Sequence, residues 1–323
     1  MVFSFTPEQE ELRGQARSYL ADRFPAERVA ELADSETGWD ASSWAELAEL
    51  GWLGVSVPEE YGGAGLGFVE EALLLEELGR ALYPGPYFAT VALALPALGP
   101  DELAAVAAGD ARWSASLDGS LVPDLALVDR VAVIESGEAR AVPARGELLT
   151  TVDSTRRLGR LHSDDGEPLA GDVSAARSRA LAALAVEAVG VGDRALEFGV
   201  EHAQTRVQFG RPIGTYQAIS HRLADTYLEQ QLARSLAYWA AWCVAEGDPQ
   251  APVAAAAAKA FAADAAVAAC ERSIQVHGGI GFTWEHPLHR YYKRALWIQS
   301  FAGQGAAHRA EVAEALLGTP AAV

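Results

Sequence analysis

Arg206, Gln275, Gly278 and Gly279 are the residues whose types and placement best suit chemistry. Arg206 lies just past a long helical stretch. Its guanidinium can clamp a phosphate through two parallel hydrogen bonds, which a lysine could not imitate. A surface ion pair is the plainer alternative. Gln275 and Gly278-Gly279 close another long helix. Glycines there allow close backbone approach, and exposed N–H groups can hold phosphate or ribose oxygens. A glycine C-cap is the plainer alternative, and both readings can hold together. This glycine pair is not the strand-linked G-x-G-x-x-G of a dinucleotide fold. Glu187 and Asp264 fall on helical stretches and are conceivable general bases; solvated or interhelical charge is the plainer account of each. His277, His286 and His289 suggest a metal, yet no cysteine or carboxylate spacing accompanies them. Neither a nucleophile constellation nor a phosphate-binding P-loop is visible.

These residues must be positioned by helices. Val173 to about Thr205, Thr215 to about Glu246 and Ala251 to about His277 read as three long helices, the second stopped by Gly247-Asp248-Pro249. Pro287–Ser300 and Ala306–Leu317 read as shorter ones. Alanine-rich helices of this length pack as an antiparallel bundle. At the other end, Thr6-Pro7-Glu8-Gln9 is a helix start with a capping-box spacing, followed by Leu12, Ala16, Tyr19 and Leu20 at helical intervals. Asp40–Leu50, Phe68–Ala81, Gly85–Gly99 and Asp101–Ala108 are further helical stretches. Between the second and third of these starts, Gly51 to Gly65 is a glycine- and proline-broken loop whose glycines call for positive φ. From Trp113 to about Leu161 the chain reads as strands: Trp113–Leu117, Arg130–Ile134, Glu138–Val142 and Glu147–Thr151. Asp118-Gly119 and Ser136-Gly137-Glu138 mark turns. Ser163 to Pro168 reads as a polar linker. The expected architecture is mainly α with a small β domain: a helical domain over 1–112, a β domain over 113–172 and a helical bundle over 173–323.

With 323 residues and 50% apolar content, the chain can bury a real core. Its formal net charge of −19 argues against nucleic acid and anionic membrane as partners. The same charge disfavours polyphosphate ligands at long range, so any such site needs local arginine or backbone N–H groups. Cys243 and Cys270 form no disulfide framework and fit a reducing cytoplasm as small buried side chains. Met1 to Phe5 shows no signal-peptide pattern. The apolar run from Val253 to Ala269 is broken by Lys259 and Asp264 and reads as a packed helix instead of a membrane span.

Three motifs in order carry a family resemblance: Arg206-Val207-Gln208-Phe209-Gly210, then Gln217-Ala218-Ile219-Ser220, then Gln275 through Gly278-Gly279-Ile280-Gly281-Phe282. Together they resemble the carboxy-terminal domain of flavin-dependent acyl-CoA dehydrogenases. The Gly51–Gly65 loop, with Pro58-Glu59 and Gly62-Gly63, is similar to a hallmark of that family's amino-terminal domain. The resemblance implies that Arg206, Gln208, Phe209, Gln217, Gln275, Gly278 and Gly279 contact the ADP half of an FAD held mainly by a neighbouring subunit. Phe209 would pack on the cofactor's edge, with ordinary core packing as its alternative.

The chain departs from the family where the family does its own chemistry. Removing a proton α to a thioester needs a carboxylate base. The family places a glutamate near the carboxy terminus, where this chain has Ala302, or near the start of the first bundle helix, where it has Ala180. The family's T-x-Q after that base reads Gln304-Gly305-Ala306 here. The family's T-E-x-x-x-G-S-D stretch over the flavin is replaced by Ser114 to Ser120. A short, base-lacking subunit of heterotetrameric (α2β2) bacterial acyl-CoA dehydrogenases, such as those of sterol side-chain degradation, fits this pattern. No catalytic residue is then expected in this chain, which would be inactive alone. Its expected partners are a full-length dehydrogenase subunit, a bulky acyl-CoA and an electron-transfer flavoprotein. Two alternatives stay open: a flavin-free scaffold, or a self-sufficient homotetrameric flavoenzyme with an unrecognised base.

Overall fold

The amino terminus folds as its cap predicts. In the computed structural model, which describes residues 4–117, 121–162 and 165–318, Thr6 Oγ1 accepts the Gln9 N–H at 3.2 Å and Gln9 Oε1 accepts the Thr6 N–H at 2.9 Å. This reciprocal pair starts α1 (Pro7–Arg23). There follow α2 (Ala26–Asp34), α3 (Ser42–Glu49), α4 (Phe68–Ala81) and α5 (Pro100–Ala107). Helix α2 was not expected; it is nine residues long and follows Pro25. The stretch expected as one helix over 85–99 is a π-helical segment, Phe88–Ala94, and then a 3₁₀ turn, Leu95–Ala97, that contains Pro96.

In the glycine loop, Gly51, Gly62 and Gly65 have φ of +74°, +82° and +63°. Gly63 meets a different demand: a Cβ there would lie 2.2 Å from the Val57 carbonyl oxygen.

The four expected strands are present as β1 (Trp113–Ser116), β3 (Arg130–Glu135), β4 (Glu138–Pro143) and β5 (Gly146–Leu149). Three more were missed: β2 (Val122–Pro123), β6 (Leu158–Leu161) and β7 (Glu167–Pro168). Part of the expected polar linker is therefore a strand, pairing with Arg140 and Ala141 of β4. The turn expected at Asp118-Gly119, and Ser163 and Asp164 of the linker, lie outside the described residues. The strands form one sheet in the order β1-β3-β4-β7, with β1 parallel to β3, and a second in the order β2-β6-β5. Along β3, Ala132 and Ile134 face the main core, while Val131 and Val133 face a smaller core with Val122, Leu125 and Val142. That alternation is the strand period made visible.

The bundle comprises α6 (Ala176–Thr205), α7 (Gln217–Ala245), α8 (Ala251–His277), α9 (Leu288–Ser300) and α10 (Gly305–Leu317). Small side chains set its closeness. A Cβ at Gly190 would sit 2.0 Å from the Glu76 carbonyl oxygen, so glycine is what lets α6 meet α4. Helix α8 is long and apolar enough to cross a membrane by composition, but Ala254, Ala258, Ala262 and Ala266 are buried in the main core.

Candidate functional site

Three chain ends meet at one end of the bundle. Helices α6 and α8 run toward it and α7 runs away, so the end of α6, the start of α7 and the end of α8 lie together. Leu196, Ala203, Leu223 and Val276 pack beneath them. The link from α6 to α7 is a hairpin of β8 (Val207–Gln208) and β9 (Arg211–Pro212), which sequence patterning missed. Its turn residues, Phe209 and Gly210, have φ of +51° and +81°, the two-residue geometry that suits a hairpin's twist. Glycine adopts it freely. Phenylalanine does not, and its side chain is 93% exposed. Core packing of Phe209 is thus excluded. The Tyr216 hydroxyl donates to the Gln208 carbonyl at 3.1 Å, and the Arg211 guanidinium lies 4.2 Å from the Tyr216 ring centre.

Arg206 ends α6. Its N–H donates to the His202 carbonyl at 2.9 Å, and its carbonyl accepts the Ile213 N–H at 2.8 Å. With the backbone fixed from both sides, the exposed side chain makes no ion pair among the described residues. Gln217 opens α7, and no side chain caps that helix, so the Gln217 and Ala218 N–H groups have no partner among the described residues while that of Ile219 donates to the Tyr216 carbonyl at 2.9 Å. Gln275 is exposed in the last turn of α8, two residues before its end. Gly278, at φ +65°, donates its N–H back to the Gln275 and Ile274 carbonyls, so the C-cap reading holds. Gly279 is different: its φ is not positive, and a Cβ there would meet nothing within 4 Å. Among the described residues, nothing demands glycine at 279. A shallow groove of about 500 Å³ joins Gln217 and Ala218 to His221, Arg222, Asp225 and Arg272. These last four were not singled out from sequence, although Arg272 stands three residues before Gln275.

Histidines back this surface. His202 and His277 stack with ring centres 4.3 Å apart, and His277 and His286 lie 4.4 Å apart. His277 Nδ1 meets the Ser273 carbonyl at 2.7 Å. Burial pushes His286 down to about 4 and also lowers His202. The stacked rings tie α6 to α8. Among the described residues, no three His, Cys, Asp or Glu side chains converge to hold a metal.

The expected base positions lie in or against the main core. Ala180 is fully buried in α6. Ala302, at φ +58°, sits in the turn between α9 and α10 and packs against the main core. Beside it, Trp297 and Phe301 stack at 4.6 Å, with Phe88 edge-on to both. Arg156 lies 4.4 Å from the Phe88 ring centre and 5.0 Å from that of Trp297.

Glu187 is no free carboxylate. It accepts from Arg156 at 2.9 and 2.7 Å and from Arg294 at 2.6 Å, and all three side chains are buried. Arg294 also donates to Asp153 at 2.5 Å and to Thr155 Oγ1 at 2.7 Å. Nearby Asp124 is pushed up to about 7 by burial, against the pull of Arg156 and Arg294. Asp264 accepts from Gln299 at 2.7 Å and Arg309 at 2.9 Å. Lys259, also missed from sequence, is buried with its ammonium on the Gln299 and Gly303 carbonyls, at 3.3 and 3.4 Å. It closes the turn that holds Ala302, and burial pulls it down to about 8.

Comparison with known proteins agrees with this layout. The family model for the acyl-CoA dehydrogenase N-terminal domain matches residues 6–103, and that for the C-terminal domain matches residues 176–317. The chain belongs to the acyl-CoA dehydrogenases, a family of flavoprotein oxidoreductases. It is similar to acyl-CoA dehydrogenase IpdE2 of Mycobacterium tuberculosis, with 39% identity over 89% of this chain and 91% of that one. It is 35% identical to FadE34 of the same organism over 94% of this chain, yet that match spans only 47% of FadE34. Among solved structures, the ChsE4-ChsE5 complex from Mycobacterium tuberculosis aligns at a TM-score of 0.89 and 27% identity, covering 99% of this chain and 100% of the matched one. The Tcur3481-Tcur3483 steroid ACAD (G363A variant) aligns at 0.86 and 30% identity, covering 96% and 98%.

Proposed function

We propose that this chain is the short subunit of an α2β2 FAD-dependent acyl-CoA dehydrogenase, working in the cytoplasm on a bulky, steroid-type acyl-CoA. In this reading it completes the cofactor site of a full-length partner and carries no base of its own. The domain division 1–112, 113–172 and 173–323 belongs to the same proposal.

One observation carries it. Arg206, Gln208, Phe209, Gln217, Gln275, Gly278 and Gly279 are all exposed at one end of the bundle, while both base positions are alanines, Ala180 fully buried and Ala302 half-buried against the main core. The donor set suits a nucleotide's ADP half: Arg206 for phosphate charge, the uncapped start of α7 for phosphate oxygens, Gln217 and Gln275 for ribose or base, and open backbone at Gly278-Gly279. Phe209 and Gln208 on the hairpin would border it. When bound, FAD supplies the acceptor for the hydride leaving the β carbon of the acyl group. The α proton goes to a carboxylate of the partner, because Ala180 and Ala302 offer none. Electrons then leave to an electron-transfer flavoprotein.

Support for a partner comes from three sides. Phe209, Phe282 and Trp284 are exposed around this end, and Tyr227, Leu228 and Leu232 on the outer face of α7, an apolar display that fits an interface. Both similar structures pair two components by name, ChsE4-ChsE5 and Tcur3481-Tcur3483. FadE34 has more than half of its length left over beyond the match, room for a second dehydrogenase unit in one chain.

Expression of this chain alone and together with a full-length dehydrogenase tests the proposal, with flavin absorbance and acyl-CoA oxidation as readouts. The proposal expects flavin and activity only from the pair. A flavin-free pair would leave the scaffold alternative, and an active chain alone would leave the self-sufficient one.

A further inference from the structure

A second cavity lies away from the cofactor-facing residues and from both base positions. It is a cleft of about 640 Å³ between α1 and α2 on one side and the ends of α4, α6 and α9 on the other. Neither base position lines it, nor does any cofactor-facing residue, so it stands apart from the shared-FAD reading.

Its lining is unusual for a chain of net charge −19. Four arginines, Arg17, Arg80, Arg194 and Arg290, border it against two carboxylates, Glu27 and Glu77. Arg17 is committed to Glu77 through two hydrogen bonds, at 2.9 and 2.7 Å. The other three are less fully matched. Arg80 and Arg194 share one carboxylate, Glu197, which lies outside the lining. Arg194 also reaches Glu201 only at 3.4 Å. Arg290 is itself buried, yet its partner Asp34 is 67% exposed, at 3.2 Å. Such a half-solvated pair is weak and easily exchanged. Two helix starts add to the positive field: Pro25 and Pro287 precede α2 and α9, neither prolyl side chain caps its helix, and the His286 ring accepts the first N–H of α9 at 3.2 Å. The floor is apolar, built by Leu20, Phe24, Val29, Leu82 and Phe198.

An apolar floor beneath a rim of under-matched guanidinium groups fits one kind of small molecule. We propose that this cleft binds an amphipathic carboxylate, with its apolar body on the floor and its carboxylate on Arg290 and Arg194. The volume falls within the range of small-molecule sites. A planar fork on each arginine suits a carboxylate's two oxygens.

Calorimetric titration tests this on the chain as purified with its partner. Decanoate, well below its micelle concentration, is the probe; acetate and decanol are the controls. The expected result is saturable decanoate binding at one per short chain, with acetate and decanol at least tenfold weaker. Arg290→Gln should weaken decanoate at least tenfold. Ala21→Trp, a substitution at an exposed alanine of the lining, should abolish binding by filling the cleft and leave the thermal melt of the chain unchanged. Decanol binding as tightly as decanoate would overturn the proposal, because the arginines would then play no part. So would decanoate binding that survives Ala21→Trp, or no saturable binding at all.

Discussion

Two regions of this bundle treat their polar groups in opposite ways. At the end that carries Arg206, Gln217 and Gln275, these side chains are exposed and make no side-chain hydrogen bond or ion pair among the described residues. In the interior near Ala180 and Ala302, the charges are locked together: Arg156, Glu187, Arg294 and Asp153 are all buried and paired. On the proposed reading the first region awaits a partner, whereas the second pairs its charges within the chain. A fold that had merely decayed would show losses scattered across both. Here the groups that would serve the chain's own chemistry are replaced by packing, while those that can serve a neighbour remain on display.

The comparison breaks most readily in the interior. Removing one member of a buried ion cluster leaves its partners charged and unpaired, at a cost of about 3–5 kcal/mol. Arg294→Met should therefore lower the unfolding free energy in urea by roughly that amount, because both Glu187 and Asp153 lose a donor. A loss under about 1 kcal/mol would mean that the cluster is solvated instead of locked. Restoring a carboxylate with Ala302→Glu should yield no acyl-CoA oxidation by the chain alone. Phe88, Trp297 and Phe301 fill the space beside it, and a base without substrate has nothing to act on.

A pH titration probes the histidine stack behind the outer end. Burial, then the neighbouring imidazoles, hold His286 at about 4 against an ordinary 6.5. The folded form keeps the ring neutral while the unfolded chain would protonate it. Its contribution is thus full above about pH 6.5 and is lost as pH falls toward 4. The melting temperature should fall across that window, and His286→Phe should flatten the fall. The smallest effect belongs to Phe209. At φ +51°, asparagine is better tolerated than phenylalanine, so Phe209→Asn should stabilise the isolated chain by about 0.5 kcal/mol. The same change should weaken association with the partner, measured by sedimentation. Stability and association moving in opposite directions would mark Phe209 as a strained residue kept for contact.

Much of this fold is readable in the sequence where the cues are local. Helix α4 matches its expected bounds, Phe68–Ala81, and α8 matches Ala251–His277, because glycine and proline punctuate both. The placement of Arg206, Gln217 and Gln275 at or near helix ends was readable too, whereas the hairpin between α6 and α7 was not. What was missed depends on distant partners. Strands β2 and β7 are two residues each and exist only through pairing. Arg156 and Glu187 are 31 residues apart, and Arg294 and Asp153 are 141 apart, so no window contains the cluster. One clue was present: Arg294 falls on the apolar face of α9, in step with Leu288, Tyr291 and Ile298. An arginine on a buried stripe needs a buried carboxylate, and Glu187 on α6 is one of the buried helical acids.

The most direct test of the account is the flavin content of the purified pair with Arg206→Ala in the short chain alone. A charge-assisted hydrogen bond is worth about 1.5–3 kcal/mol, so the account predicts flavin that drops well below one per pair while both chains still co-purify. Flavin that stays at one per pair would contradict it, for the cofactor would then be held without this chain's arginine.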